Sequence, residues 1–217
     1  VPELLTFLKP DAILRVNVGA TIVRELSEHP DLELLSFEQR QIDADLAREH
    51  YAHVADRPFY PWLERYVTAT PVYIMLAEVA DDEAVERLRA ALGNTISHQA
   101  EPGTIRGRLG IYAGVNCLHL SDSVASGEVE TGLWVERLGI EAGSFDTPLE
   151  AYAERFDPAI PNRTASLREI CTHLAEIGRA DEANLAQVRT LLEGECPGAS
   201  AEQLERLVEI VTGSGLN

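Results

Sequence analysis

Apolar residues along this chain switch between two spacings, and the switches mark out its elements. "ELLTFL" (Glu3–Leu8) is a short, nearly unbroken apolar run ending at Lys9-Pro10-Asp11, which predicts a buried strand. In "VGATIVRELSEH", Val18, Ile22, Val23 and Leu26 share one helical face. "DLELLSFEQRQI" alternates and predicts a second strand, while "DADLAREHYAHV" and "FYPWLERYVTA" predict two short helices joined at Asp56-Arg57-Pro58. "PVYIMLAEVA" is rich in β-formers and predicts a central strand. "DDEAVERLRAALG" has acidic residues in its first turn and Gly93 at its end, the charge order and stop expected of a helix. "CLHL" predicts a last short strand and "SVASGEVETGLWV" the helix after it. Between those groups lies "NTISHQAEPGTIRGRLGIYAGVN", punctuated by Gly and Pro and predicted as loop. A loop that long inside a compact domain usually carries function.

The order βαβ, helices, βαβ, helix predicts an α+β fold, the ferredoxin-like double βαβ arrangement, with an antiparallel sheet and its helices on one face. Past about Val135 the character changes. "ERLGIEAGSFDTPLEAYAERFDPAIPNRT" is dense in turn residues and reads as a linker with one short helix. "SLREICTHLAEIGRA", "DEANLAQVRTLLEG" and "SAEQLERLVEIVTG" predict three amphipathic helices, broken at Gly178 and Pro197-Gly198, with Asp181 and Ser200 as caps. The chain therefore divides into residues 1–136 and a mostly helical C-terminal extension over 137–217. The apolar faces of the extension must be buried, against the same chain or its oligomer. No repeat of fixed period and no low-complexity tract interrupts the chain.

Composition narrows the function. The 18 basic and 36 acidic residues give a formal charge of -18, which repels nucleic acid and anionic membranes as bulk partners. A phosphate ligand would need a local basic pocket working against that field. Lys9 is the only lysine; it is either a survivor of a bias towards arginine or a place where a compact ammonium is required. Cys117, Cys171 and Cys196 are odd in number and form no CxxC pair, arguing against a zinc site or a disulfide framework and for a reducing, cytoplasmic setting. No apolar run approaches the roughly 20 residues that span a bilayer, and "VPELLTFLKPDA" lacks the basic start of a signal peptide.

Three pieces carry chemistry-bearing side chains. "LKPDA" offers Lys9 at the end of the first strand. The long loop, preceded by Arg89, offers Thr95 and Arg106. "NCLHLSDS" offers His119, with Glu130 eleven residues later in the following helix. Taken by itself, His119 could be a packed core residue, a metal ligand or a nucleophile. His29, His98 and His173 show no ligand spacing. His50 and His53, three apart on a predicted helix without a third ligand, read as surface.

"TFLKPDA", "RPFY", "PGTIRG", the pattern N-x-x-H-x-SDS and the glutamate eleven residues beyond the histidine resemble the nucleoside diphosphate kinase family, over about residues 4 to 134 and in family order. The resemblance implies that His119 is the nucleophile, taking the terminal phosphoryl group of a nucleoside triphosphate and passing it to a diphosphate through a phosphohistidine, with ping-pong kinetics. A neutral imidazole suits that role at physiological pH. It further implies Glu130 as the acceptor for the other ring nitrogen, with Ser121 holding that carboxylate. Lys9, Arg89 and Arg106 would neutralise phosphate charge, with Thr95 and Tyr51 donating hydroxyl hydrogen bonds. Asn116, with Lys9, would read the ribose 3'-hydroxyl, and Phe59 with Leu63 would form the base platform. Stacking on such a platform discriminates little among bases. The resemblance brings Mg²⁺ with the nucleotide phosphates rather than in a protein cage; Asp122 is read either as an outer contributor or as a cap of the next helix. A homo-oligomer, at least a dimer, is expected.

Three positions depart from the family pattern. Leu120 follows the histidine where a glycine is usual, which would place an isobutyl group beside the nucleophile. "RVNVG" carries Val16 and Asn17 where Gly-Leu is usual, and "TATP", ending at Pro71, replaces Ser-Gly-Pro. Leu120 and the extension motivate a competing reading, an enzyme of the same fold specialised for one nucleotide; a catalytically idle nucleotide-binding or scaffold module is the third, and the intact His119, Glu130, Lys9 and Arg106 set argues against it.

Overall fold

Pro10 decides where the first strand ends. In the computed structural model, which describes residues 3–214, β1 (Glu3–Leu8) stops just before it. Pro10, with no N–H to give a ladder, opens α1 (Pro10–Leu14), where none is needed. α2 (Val16–Ser27) follows after a break at Arg15. The chain continues through β2 (Glu33–Leu34), β3 (Glu38–Arg40), α3 (Ala44–His50), α4 (Tyr60–Val67), β4 (Val72–Glu78), α5 (Asp82–Leu92), α6 (Ile105–Leu109), β5 (Leu118–Leu120) and α7 (Val124–Leu138). The extension adds α8 (Leu149–Ala153), α9 (Thr164–Ile177), α10 (Glu182–Glu195) and α11 (Ala201–Ser214).

The sheet is antiparallel in the order β2-β4-β1-β5, with β3 also on β4. β2 and β3 are two halves of the single strand expected from "DLELLSFEQRQI". The break has a local cause. Ser36 Oγ accepts the Leu76 N–H at 2.9 Å, and Phe37 turns its backbone outward to residues 144 and 146. Residues 143–146, expected as linker, thus run along this sheet edge and occupy groups that would otherwise offer themselves to another strand.

Helices cover both faces, not one as expected. Along β1 the side chains alternate: Leu4 and Leu8 join Val18, Ile22, Leu26, Val85 and Leu88 from α2 and α5, whereas Leu5 and Phe7 join Leu46, Trp62, Tyr66 and Trp134 from α3, α4 and α7. The second face is possible because β1 is apolar on both sides. α7 lies close against β1 at Gly127, where a Cβ would sit 2.4 Å from the Glu3 carbonyl.

The loop expected over 94–116 contains a 3-10 turn (Ser97–Gln99) and α6, which Thr104 caps by accepting the Gly107 N–H. The extension forms as expected. Gly178, at φ 68°, ends α9 in the left-handed region, and Asp181 caps α10. Its apolar faces are buried on the same chain: Leu167, Cys171, Leu174, Val188, Leu192, Leu207 and Val211 share one core with Trp62, Ile111 and Val115. Asn17, one of the departures, explains itself here. Its amide donates to the carbonyls of Asp157 (2.7 Å) and Ile160 (3.0 Å) and accepts from the Asp157 N–H (2.8 Å), fastening the linker to α2. Among the described residues no helix is long and apolar enough to cross a membrane.

Candidate active site

β5 is only three residues long, and its alternation sorts the site. Leu118 and Leu120 face the α2–α5 side and are fully packed. His119, between them, faces α3, α4 and α7. The isobutyl group of Leu120 is therefore on the far side of the sheet and not beside the imidazole, which corrects the expectation. Phe7 is the cross-strand partner of His119, and the two rings stack at 4.9 Å between centroids. The ring of His50 meets His119 edge-on at 4.5 Å.

The imidazole is held by a short polar chain. His119 Nε2 lies 2.8 Å from Glu130 Oε2, and the same oxygen accepts the Ser121 hydroxyl at 2.7 Å. Ser121 is itself fixed to β1, its Oγ accepting the Leu5 N–H at 3.0 Å. α7 presents Glu130 two turns beyond its cap, Ser123, which accepts the Ser126 N–H. Asp122 is not that cap; it is exposed and ion-paired with Arg89. An ionised carboxylate only accepts, so Nε2 carries the ring proton and Nδ1 keeps its lone pair. Burial raises the Glu130 carboxyl, with the Ser121 hydrogen bond opposing. Burial, then Lys9, Arg106 and Arg89, hold His119 well below its ordinary 6.5, so the ring stays neutral.

His50 corrects the surface reading. It is buried, and its Nδ1 accepts the Trp134 indole N–H at 3.2 Å. Its apolar surroundings cause this: the ring is packed between Phe7, Tyr51 and Trp134. Burial and the nearby His119 pull its pKa down to about 3. His50, His119 and Glu130 bring possible metal-ligand atoms within 4.8 Å of one another. His50 has no lone pair left for a metal, because its Nδ1 accepts the Trp134 indole N–H, and without it the group falls short of three ligands.

A cationic wall faces this chain. Lys9, 5% exposed, donates to Asn116 Oδ1 at 2.7 Å, and Asn116 Nδ2 donates to the Thr95 carbonyl at 2.9 Å. Burial, reinforced by Arg106, lowers the Lys9 ammonium to about 7. Arg106 comes from α6 and is tied to the carbonyls of Gly93 and Leu118 at 3.1 Å each, with Thr95 Oγ1 at 3.4 Å. Burial and Arg89 lower it to about 10. Gly93 offers that carbonyl from a backbone at φ 86°, and a Cβ there would lie 2.2 Å from Thr104 Oγ1. Arg89, half-buried on α5, donates to the Leu120 carbonyl at 3.2 Å. Cys117 carries a left-handed φ of 72°, disfavoured for a side chain by about 1–2 kcal/mol, and its carbonyl is pinned by the Lys9 N–H at 2.8 Å. The strain sits between Asn116 and the strand that carries His119.

Among the described residues, the buried Arg106 Nε, Tyr51 hydroxyl and Asp11 Oδ2 near this wall have no hydrogen-bond partner. Buried polar groups are seldom left so. Phe59, 37% exposed, and the buried Leu63 stand four residues apart at the start of α4. Of the expected residues, Lys9, Asn116, Thr95 and Arg106 form one hydrogen-bonded group and His119, Glu130 and Ser121 another, whereas Phe59 and Leu63 are bonded to neither. Sequence reading missed the supports. Phe7 and His50 contact the imidazole, Trp134 packs behind them against both rings, and Tyr66 donates to the buried Asp11 beneath Lys9, whose Nζ lies 5.5 Å from the Tyr66 ring centre. Asp11 belongs to the "LKPDA" motif, and burial raises its carboxyl; the motif was the only available hint.

A family model described as "Nucleoside diphosphate kinase" matches residues 3–140. A nucleoside diphosphate kinase of Staphylococcus haemolyticus is 39% identical over 149 residues, covering 68% of this chain and 96% of that one. One of Acetivibrio thermocellus is 38% identical over 126 residues, covering 58% and 90%. Among solved structures, a halophilic nucleoside diphosphate kinase from Halobacterium salinarum in complex with CDP superimposes with a TM-score of 0.57 at 31% identity, over 70% of this chain and 97% of that one. The apo enzyme of Encephalitozoon cuniculi gives 0.57 at 29% identity, over 62% and 89%.

Proposed function

The chain belongs to the nucleoside diphosphate kinase family, and from that premise we propose that it transfers the terminal phosphoryl group of a nucleoside triphosphate to a nucleoside diphosphate by way of a phosphohistidine on His119. The observation that carries this is the commitment of Nε2 to Glu130, which leaves Nδ1 as the nitrogen with a free lone pair beside buried cations. Nδ1 attacks the γ-phosphorus, an N–P bond forms, and the bond from phosphorus to the β–γ bridging oxygen breaks with its electron pair leaving on the diphosphate. In the second half, an oxygen of the acceptor's β-phosphate attacks the phosphorus, and the N–P electron pair returns to Nδ1. The proton on Nε2 stays with the Glu130 hydrogen bond throughout, stabilising the charge the ring gains.

Lys9, Arg106 and Arg89 neutralise the phosphate oxygens, and Tyr51 and Thr95 donate hydroxyls. Asn116 orients Lys9 towards the ribose. Phe59 and Leu63 support the base without reading its edge, so the enzyme accepts many bases. Magnesium supplies charge neutralisation when it arrives with the nucleotide. The residues fit that mode, because the carboxylate beside the histidine motif, Asp122, is already paired with Arg89 and stands in the open, suited to the ion's water shell.

Incubation with γ-labelled ATP and magnesium tests the reading: the label should enter the protein as an acid-labile, base-stable adduct and leave on addition of unlabelled diphosphate. Label that resists discharge would favour the idle-scaffold alternative, and a narrow preference across a panel of diphosphates would favour a specialised enzyme.

Two further outcomes are expected. Glu130→Gln keeps a partner for Nε2 but loses the charge that fixes its tautomer, and turnover should fall about 10²-fold, the scale of small misplacements of a reacting group. An unchanged kcat would remove Glu130 from its role. The pH profile has a worked sign. Nucleotide attraction needs charged Lys9, whose free-enzyme pKa is about 7, so kcat/KM should decline as pH rises through that value. Bound phosphate favours the ammonium, so the same limb should move upward in kcat. Its survival in Lys9→Met would assign it elsewhere.

A further inference from the structure

Residues 137–217 have no part in the reaction above, yet one of their cations touches the phosphate wall from behind. Arg168, on α9, donates Nε to the Ile111 carbonyl at 3.0 Å. Its Nη2 donates to the carbonyls of Arg106 (3.3 Å), Gly107 (3.1 Å) and Gly110. These are the carbonyls at and just beyond the end of α6. A helix of 5 residues is far too short to hold itself together; its Arg106 carbonyl accepts the N–H of the C-cap Gly110 at 3.0 Å, and the carbonyls that follow fall past the last intrahelical donor. A guanidinium at that end satisfies them and lies where the helix dipole favours positive charge.

A second arginine completes the grip. Arg15 donates to the Leu109 carbonyl at 2.8 Å, and is itself held by Glu195 and Thr164, both from the extension. The opposite wall is tied as well. Trp62 of α4 donates its indole N–H to the Ile210 carbonyl of α11 at 3.0 Å, and Arg206 of α11 reaches the Ala69 carbonyl at 3.3 Å. The extension therefore spans from the helix bearing Phe59 and Leu63 to the helix bearing Arg106.

We infer that Arg168 is a positioning residue, holding α6 so that Arg106 meets the nucleotide phosphates, and that the extension acts as an internal brace across the nucleotide cleft. This rests on reading the cleft as a nucleotide site. The side chain of Arg106 is anchored by carbonyls of Gly93 and Leu118, while its backbone carbonyl is shared by the Gly110 N–H and Arg168, and Arg168 alone ties that turn to the extension; removing Arg168 loosens the end of the lever that faces away from the ligand.

Equilibrium binding on the full chain tests this without turnover. Arg168→Ala should weaken ADP about 10- to 100-fold, and AMP much less, because the loss falls on phosphate contacts and not on the base. Arg168→Lys should recover part of the loss, since an ammonium reaches some of the carbonyls but lacks the planar fork. In an Arg106→Ala background, Arg168→Ala should cost nothing more, as expected for two residues acting through one contact. Unchanged ADP binding, equal losses for AMP and ADP, or a full additional loss in the Arg106→Ala background would each overturn the inference. Should Arg168→Ala fail to fold, hydrogen exchange on the unaltered protein decides: ADP should slow exchange over residues 105–111 and also over 164–172, and protection confined to the former would overturn it. A wild-type chain that never takes up label would sink the kinase reading alone, because phosphate-graded binding reads Arg168 independently.

Discussion

His119→Ala is expected to lower phosphoryl transfer by about 10⁴-fold or more, the scale seen when a covalent nucleophile is removed, while nucleotide affinity changes little. The two outcomes separate because the cationic wall and the imidazole proposed to attack come from different elements. Lys9 belongs to the end of β1 and Arg106 to α6, and both keep their hydrogen bonds without the imidazole. The variant also leaves Glu130 with its Ser121 partner, so the carboxylate is not orphaned. Loss of label in the acid-labile fraction, with ADP binding retained, is the expected result. Label persisting in the alanine variant would move the nucleophile to another residue, and loss of ADP binding with it would point to a structural role for the ring.

The largest expected effect on stability lies 76 residues downstream, at Glu195. Glu195→Ala should destabilise the fold by about 3–5 kcal/mol, the cost of leaving one member of a buried ion pair alone. Arg15 is fully buried and donates Nε and Nη2 to the two Glu195 oxygens at 2.7 and 3.2 Å. Burial works against its charge, and Glu195 more than compensates, holding the guanidinium above its ordinary value. Glu195 also accepts the Arg163 N–H at 2.6 Å, so its removal strands a second donor. A natural control is the exposed pair Arg189–Glu205 (2.6 Å), where Glu205→Ala should cost under about 1 kcal/mol despite similar bidentate geometry. Urea titrations of the two variants give the comparison, and a Glu195 shift no larger than that of Glu205 would refute it. Replacing Arg15 and Glu195 together by apolar residues should cost less than the single change, since no lone charge remains.

The two sites differ in how visible they were beforehand. His119, Glu130, Lys9 and Arg106 stood out because they lie in or beside motifs that resemble one family's and keep its order. Arg15 and Glu195 did not, because neither belongs to a motif linking them, and a salt bridge across 180 residues leaves no local trace. His50 was misjudged for a related reason: spacing on a helix says which residues share a face, but not what the face meets. Leu120 shows the reverse case. Its place next to His119 in the chain suggested crowding, and strand alternation alone could have corrected it, sending neighbours to opposite faces of the sheet.

Local pattern thus determined most of the element order, the α+β class and the helical extension, and it singled out the candidate side chains of the site, because periodicity, caps and motif chemistry are written within a few residues of one another. Tertiary structure alone decided which nitrogen of His119 is free, which polar atoms are buried without partners, that both sheet faces are covered, and that the extension grips α4 and α6. Those are consequences of contacts between segments far apart in the chain, and the free energy of such contacts depends on distance and burial in space, which no window of sequence contains.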